Sequence, residues 1–100
     1  LAFEIKQYIA ANYRQKITIA MLCKHFFCSR STLINSFKKN SPITINQYIL
    51  GIRMEKAEEM LRNSTKSIKD IAAECGFEDQ NYFSKVFHKV YKKSPSQYRK

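Results

Sequence analysis

The chain is poor in residues that break regular backbone. Its 100 residues include two glycines and two prolines. A β-sandwich or barrel of this size needs frequent turns, which glycine and proline help to supply. So few breakers favour helices, whose interiors exclude both residue types. Tryptophan is absent, yet 44% of residues are hydrophobic and 13% aromatic, too many for a disordered chain. Cysteine is scarce and odd in number, at Cys23, Cys28 and Cys75. An odd set with no secretory signal before it suits a reduced, cytoplasmic interior. Cys23 and Cys28 flank His25, but the spacing fits no standard zinc site and no fourth ligand is evident. The cysteines are expected to pack as small buried apolar groups, and no cofactor is expected. No apolar run approaches the ~20 residues that span a bilayer.

Acids are the other scarce class. Eight Asp and Glu stand against 18 Lys and Arg, a formal charge of +10. Residues 1–54 hold eight Lys or Arg and one acid, Glu4. Residues 55–79 hold four Lys or Arg and seven acids, and residues 80–100 hold six Lys or Arg and no acid. Two basic segments thus flank an acidic one. That layout suggests two contact surfaces for a polyanion, although a solvated basic surface accounts for the charge equally well.

Apolar spacing predicts an all-α fold of about seven helices. Leu1, Ile5, Tyr8 and Ile9 share one stripe of a first helix that ends near Asn12–Tyr13. Thr18 can cap "IAMLCKHF", with Ile19, Leu22, Cys23 and Phe26 inward. Ser29 can cap "RSTLINSFKKN", with Leu33 and Phe37 inward. Pro42 stops that helix. Thr44 and Gln47 then form a capping box for a long helix to about Arg62. Its inner stripe is Ile45, Tyr48, Ile49, Ile52, Ala57, Met60 and Leu61. Gly51 inside it costs about 1 kcal/mol relative to alanine, and close packing is one reason to keep it. Ser67 and Asp70 repeat the capping logic. Ile68, Ile71, Ala72 and Cys75 face inward, Gly76 supplies a turn at positive φ, and Phe77 plugs the core. Asp79 can cap a further helix with Phe83, Val86, Phe87 and Val90 on one stripe. Ser94–Gln97 is a last capping box, with Pro95 at the first helical position and Tyr98 on the short helix it opens.

The two halves repeat. "ITIAMLCKHFFCSRSTLINSFKKN" aligns with "SIKDIAAECGFEDQNYFSKVFHKV" at an offset of 49 before the turn and 50 after it. Leu22 matches Ile71, Cys23 matches Ala72, Phe26 matches Cys75, Leu33 matches Phe83, Phe37 matches Phe87 and Tyr48 matches Tyr98. Each copy reads as a short helix, a tight turn and a second helix with a polar outer face. That is a helix–turn–helix, in which the first helix braces and the second enters a DNA major groove. A helical hairpin repeat with no ligand has the same periodicity.

Several motifs at fixed offsets carry a family resemblance over nearly the whole chain. They are Ile71–Ala72, Gly76–Phe77, Tyr82–Phe83, Phe87–Lys89 and Ser94–Arg99, with "YILGIRMEKAEEML" in the middle. On these the chain resembles the DNA-binding domain of AraC/XylS-type transcription regulators. That family usually has a glycine after each Phe-Lys-Lys segment. Here Pro42 and Lys92 stand there, so a left-handed cap is not expected at Pro42 and is strained at Lys92. His88 stands where Lys is more frequent, and Cys23 where alanine is usual.

The resemblance implies one DNA-binding domain over residues 1–100. Its parts are a helix–turn–helix at about 17–40, a linker helix at about 44–62 and a second helix–turn–helix at about 67–91. A helix of the linker's length rises about 28 Å. Successive major-groove faces lie about 34–36 Å apart, so both recognition helices are expected in adjacent grooves of one DNA face. On the first recognition helix, Arg30, Ser31, Ile34, Asn35 and Lys38 can face out. Asn35 suits adenine, Arg30 suits guanine or phosphate, Ile34 suits a thymine methyl, and Ser31 and Thr32 suit phosphate or a base edge. On the second, Gln80, Asn81, Ser84, Lys85 and His88 can face out. Gln80 and Asn81 suit adenine, and Lys85 suits guanine or phosphate. Lys38, Lys39 and Lys89 are expected on phosphates. Ile34 and Tyr82 fit packing as well as contact. Arg53 and Tyr48 read as structural, with Arg53 paired to an acid. Glu55, Glu58 and Glu59 read as a solvated face turned from DNA.

The resemblance also implies contact with RNA polymerase and a further effector, dimerisation or signal-receiving domain outside this chain. Rival classes have less support. No nucleophile and carboxylate set surrounds either histidine, and no Gly-rich phosphate loop occurs, so an enzyme is not expected. The basic residues lie in two blocks rather than on one amphipathic helix, which disfavours a membrane-surface role. The aromatic motifs of common single-strand RNA readers are missing. A non-specific architectural DNA binder is the main alternative.

Overall fold

A computed structural model describes residues 1–99. Among them there are seven helices and no strand. They are α1 (Ala2–Asn12), α2 (Ile19–Phe26), α3 (Arg30–Lys39), α4 (Ile45–Asn63), α5 (Ile68–Glu74), α6 (Gln80–Tyr91) and α7 (Pro95–Arg99). The fold is all-α, as the apolar spacing predicts. No described helix is long and apolar enough to cross a membrane.

Side-chain caps set most of the helix starts. The Thr18 Oγ1 accepts a hydrogen bond from the Met21 amide at 3.1 Å, and the Ser67 Oγ accepts one from the Asp70 amide at 3.1 Å. Both reciprocal boxes form. The Thr44 amide donates to Gln47 Oε1 at 2.9 Å while the Gln47 amide donates to Thr44 Oγ1 at 3.1 Å. Ser94 and Gln97 exchange the same pair at 3.1 and 3.2 Å. Each cap satisfies amides that have no partner inside the helix.

The chain divides into two compact units, Leu1–Ile52 and the residues from Arg53 onward, and α4 contributes to both. In the first unit, Ile5, Ile9, Leu22, Leu33, Phe37, Ile45 and Ile49 form a buried cluster. Tyr8, Ile19, Cys23, Phe26, Cys28 and Tyr48 pack around it, partly buried. Tyr48 meets Phe37 edge-on, with ring centroids 5.7 Å apart, and Lys6 lies 5.5 Å from the Tyr48 ring. Such an arrangement favours the positive ring edge against the negative face.

In the second unit the buried residues include Met54, Ala57, Leu61, Ile71, Ala72, Cys75, Phe77, Phe83, Val86 and Phe87. Phe77 and Phe83 lie 5.2 Å apart, and Phe87 meets Tyr98 edge-on at 5.4 Å. The Phe87–Tyr98 contact repeats the Phe37–Tyr48 contact at the predicted offset of 50. The repeat is therefore one of packing as well as of spacing. Arg99 adds an anchor. Its guanidinium donates to the carbonyls of Leu61, Lys66 and Ser64 at 3.2, 2.6 and 3.2 Å, the first of them in the last turn of α4, where carbonyls lack intrahelical partners.

Several expectations need correction. Cys75 is buried, but Cys23 and Cys28 are half-buried, and none of the three is in a disulfide among the described residues. Leu1 is exposed, being the first residue before α1. Val90 is 52% exposed, because the α6 stripe has drifted outward by its last turn, and Tyr91 packs there against Phe87 at 4.6 Å. Met54 is buried although it was outside the inner stripe, and it completes the Met54–Ala57–Leu61 row. Gly51 admits no neighbour: a Cβ there meets nothing within 4 Å. Lys92 does adopt the left-handed cap, at φ 62°, and its amide donates to the His88 carbonyl at 2.8 Å. The α3 end closes differently, through Asn40 at φ −113°.

Candidate nucleic-acid interface

Each unit supplies one helix that hides an apolar stripe and exposes a basic, polar one. On α3, Leu33 and Phe37 are buried, four residues apart on the inner face. Arg30, Ser31, Thr32, Ile34, Asn35, Lys38 and Lys39 are exposed. On α6, Phe83, Val86 and Phe87 are buried. Gln80, Asn81, Tyr82, Lys85, His88 and Lys89 are exposed, and Ser84 is half-buried. The 3.6-residue period makes this division, since the inner rows claim one side of each helix.

The caps leave most of these groups available. Ser29 caps α3 by accepting from the Thr32 amide at 3.1 Å, and its hydroxyl donates to Thr32 Oγ1 at 2.9 Å. Thr32 is thus partly engaged by the cap and still has a hydroxyl proton to donate. Asp79 caps α6 by accepting from the Asn81 amide at 2.8 Å, leaving the Asn81 side chain outward. Tyr82 is 53% exposed, with its ring 6.0 Å from Phe77, so one edge packs and the other faces solvent.

Charge follows the same division. Neither α3 nor α6 contains an acid, and both carry basic residues in the last turn, Lys38–Lys39 and His88–Lys89. Two of the three acids of α4, Glu58 and Glu59, are paired within that helix. Lys56 lies 3.8 Å from Glu59, and Arg62 lies 3.7 Å from Glu58. The Tyr98 hydroxyl donates to Glu58, so that carboxylate is part of the second unit's packing rather than a purely solvated group. Arg53 lies 5.7 Å from the Phe77 ring, which fits its reading as a structural residue. Burial lowers its pKa, against a smaller opposing influence of Cys75. Among the described residues no three His, Cys, Asp or Glu side chains converge on a possible metal position.

Sequence reasoning missed two features. Arg99 ends the Ser94–Arg99 motif, but the spacing gave no sign of its acceptors, the Leu61 carbonyl in the last turn of α4 and the Ser64 and Lys66 carbonyls just after it. Phe27 sits in the first turn with left-handed backbone at φ 52° and is 95% exposed. The repeat offset of 49 places it opposite Gly76, which was the available signal.

A family model described as a helix-turn-helix domain matches residues 22–100. The HTH-type transcriptional activator RhaR of Escherichia coli is 38% identical over 91 residues, covering 91% of this chain and 32% of that protein. The chain thus spans about a third of the length of the curated relatives it matches. The C-terminal domain of the two-component response regulator yesN from Fusobacterium nucleatum superposes with a TM-score of 0.90 at 37% identity, covering 96% of this chain and 94% of that one. The C-terminal domain of AraT, a response regulator from Geobacillus stearothermophilus, superposes with a TM-score of 0.94 at 32% identity, covering 98% and 82%. With its duplicated helix–turn–helix, its shared long helix and these likenesses, the chain belongs to the AraC-type family of helix–turn–helix domains, a family of transcription regulators rather than enzymes.

Proposed function

We propose that this chain binds double-stranded DNA sequence-specifically as part of a transcription regulator, with α3 and α6 in adjacent major grooves. The carrying observation is the duplication: two equivalent helices each bury an apolar stripe and expose an acid-free, hydrogen-bonding face. A solvated surface has no need for the same division twice. Both units act as one DNA-binding domain in this reading. Asn35, Gln80 and Asn81 read adenine edges, Arg30 and Lys85 read guanine or hold phosphate, and Ile34 touches a thymine methyl. Ser31, Thr32, Tyr82, Ser84 and His88 complete the two contact faces. Lys38, Lys39 and Lys89 hold phosphates and set the register.

The full regulator is larger in this reading. The named relatives include a transcriptional activator and response regulators, so a signal-receiving or effector domain accompanies this one, and activation proceeds through RNA polymerase in the cytoplasm. The testing experiment is selection of bound sequences from a random duplex pool at near-physiological salt. A split motif with half-sites about one helical turn apart is expected. Asn35→Ala relaxes one half-site and Asn81→Ala the other, each at a cost of about 1–3 kcal/mol. Recovery of no motif, with binding that falls steeply with salt, replaces this reading with architectural binding.

A further inference from the structure

The first unit holds a cleft of about 290 Å³ between α3 and the segment joining it to α4. Its walls include Ile19, Ile34, Phe37 and Ile43, and Arg30 and Lys38 stand on its lining as well. The volume is near the lower end for small-molecule pockets, which are mostly apolar with a few placed polar groups. Ile34 is 36% exposed and Ile43 is 39% exposed, so the cleft leaves apolar surface in water. No carboxylate lines it, and neither cation belongs to an ion pair among the described residues.

The second repeat serves as an internal comparison. At the offset of 50, Ile34 corresponds to Ser84, Pro42 to Lys92 and Ile43 to Lys93. The same fold is built there without these apolar walls. The walls are therefore not a requirement of the helix–turn–helix, and a phosphate contact alone has no use for them. Arg30 and Lys38 lie eight residues apart on α3, about 12 Å along the axis. Either cation can take a carboxylate whose apolar body lies along Ile34 between them.

We propose that this cleft binds a small carboxylate with an aromatic or branched apolar body, and that its occupant blocks Arg30, Ile34 and Lys38 from DNA. The DNA half rests on the function proposed above; the binding half does not. The test is methyl NMR of the protein titrated with phenylbutyrate in the absence of DNA. Saturable shifts are expected at Ile19, Ile34 and Ile43, with the Ile71 methyls unmoved. Phenylbutanol, without the charge, is expected to bind about three- to fivefold more weakly, as for a solvent-exposed ion pair. Ile43→Asn removes one wall without touching a proposed DNA contact. It is expected to abolish the shifts while the Ile5 and Ile9 signals keep their native positions. Absence of saturable shifts, equal shifts in both units, or equal affinity for the alcohol overturns the site.

DNA competition then tests the consequence. Saturating phenylbutyrate is expected to weaken DNA binding by the unsubstituted protein and leave Ile43→Asn unaffected. Cleft binding with unchanged DNA affinity overturns the blockade. Failure to bind any duplex counts against the function proposed above, and the NMR titration still judges the site.

Discussion

Phe27 and Gly76 hold equivalent places in the two turns, and both have left-handed backbone, at φ 52° and 92°. The closing hydrogen bonds correspond as well. The Cys28 amide donates to the Cys23 carbonyl at 3.1 Å, and the Phe77 amide donates to the Ala72 carbonyl at 2.9 Å. The additional residue of the second copy, Glu78, follows this shared turn. Glycine adopts the conformation freely, whereas a residue with a Cβ loses about 1–2 kcal/mol. Phe27 recovers little by burial, since it lies in solvent.

Phe27→Gly is therefore expected to stabilise the protein. Relief of the left-handed strain outweighs the added freedom of the unfolded chain by roughly 0.5–1 kcal/mol. Gly76→Ala is expected to destabilise by at least about 1 kcal/mol. Denaturant titration of both variants checks the pair, and a loss of stability in Phe27→Gly contradicts the strain argument.

Gly51→Ala is expected to stabilise by about 1 kcal/mol, the helix-interior difference between the two residues. The new methyl enters open space, so no packing cost opposes it. Thermal unfolding provides the measurement. Unchanged or lowered stability means that the methyl meets something the structure does not place there.

Arg99→Lys is expected to cost about 1–3 kcal/mol. The planar fork serves three carbonyls at once, which an ammonium cannot reproduce. Amide hydrogen exchange is expected to quicken most at the end of α4 and in α7. Uniform quickening across the chain points to general destabilisation instead.

Glu58 ties stability to alkaline pH. The hydrogen bond to Glu58 raises the Tyr98 pKa above its ordinary value, with burial and the carboxylate's charge adding to the effect. Burial raises that of Tyr91, and the charge of Glu58 adds to it. A raised pKa means that the folded state favours the protonated phenol. This contribution is fully present below the unfolded value of about 10 and is lost as pH rises through the folded value. Phenolate absorbance is expected to show both midpoints falling in Glu58→Gln. Tyr91 falls less, because its burial remains. Unmoved midpoints remove Glu58 as a cause.

Much of this protein is determined locally. Scarcity of glycine and proline, apolar rows at helical spacing and the capping pairs Thr44–Gln47 and Ser94–Gln97 set the helices, because caps and periodicity act over three or four residues. The repeat fixed which faces of α3 and α6 turn inward, since Leu33, Phe37, Phe83 and Phe87 cannot remain in water. The tertiary structure decided what depends on distant chain. Arg99 finds its carbonyls 33 to 38 residues away, and Tyr98 finds Glu58 40 residues away. Met54 is buried and Val90 is not, because the elements packed beside a helix decide how far its stripe extends. The cleft beside Ile34 and Ile43 arises the same way: each is an ordinary apolar residue in sequence, and only the return of the chain into α4 places them on one concavity.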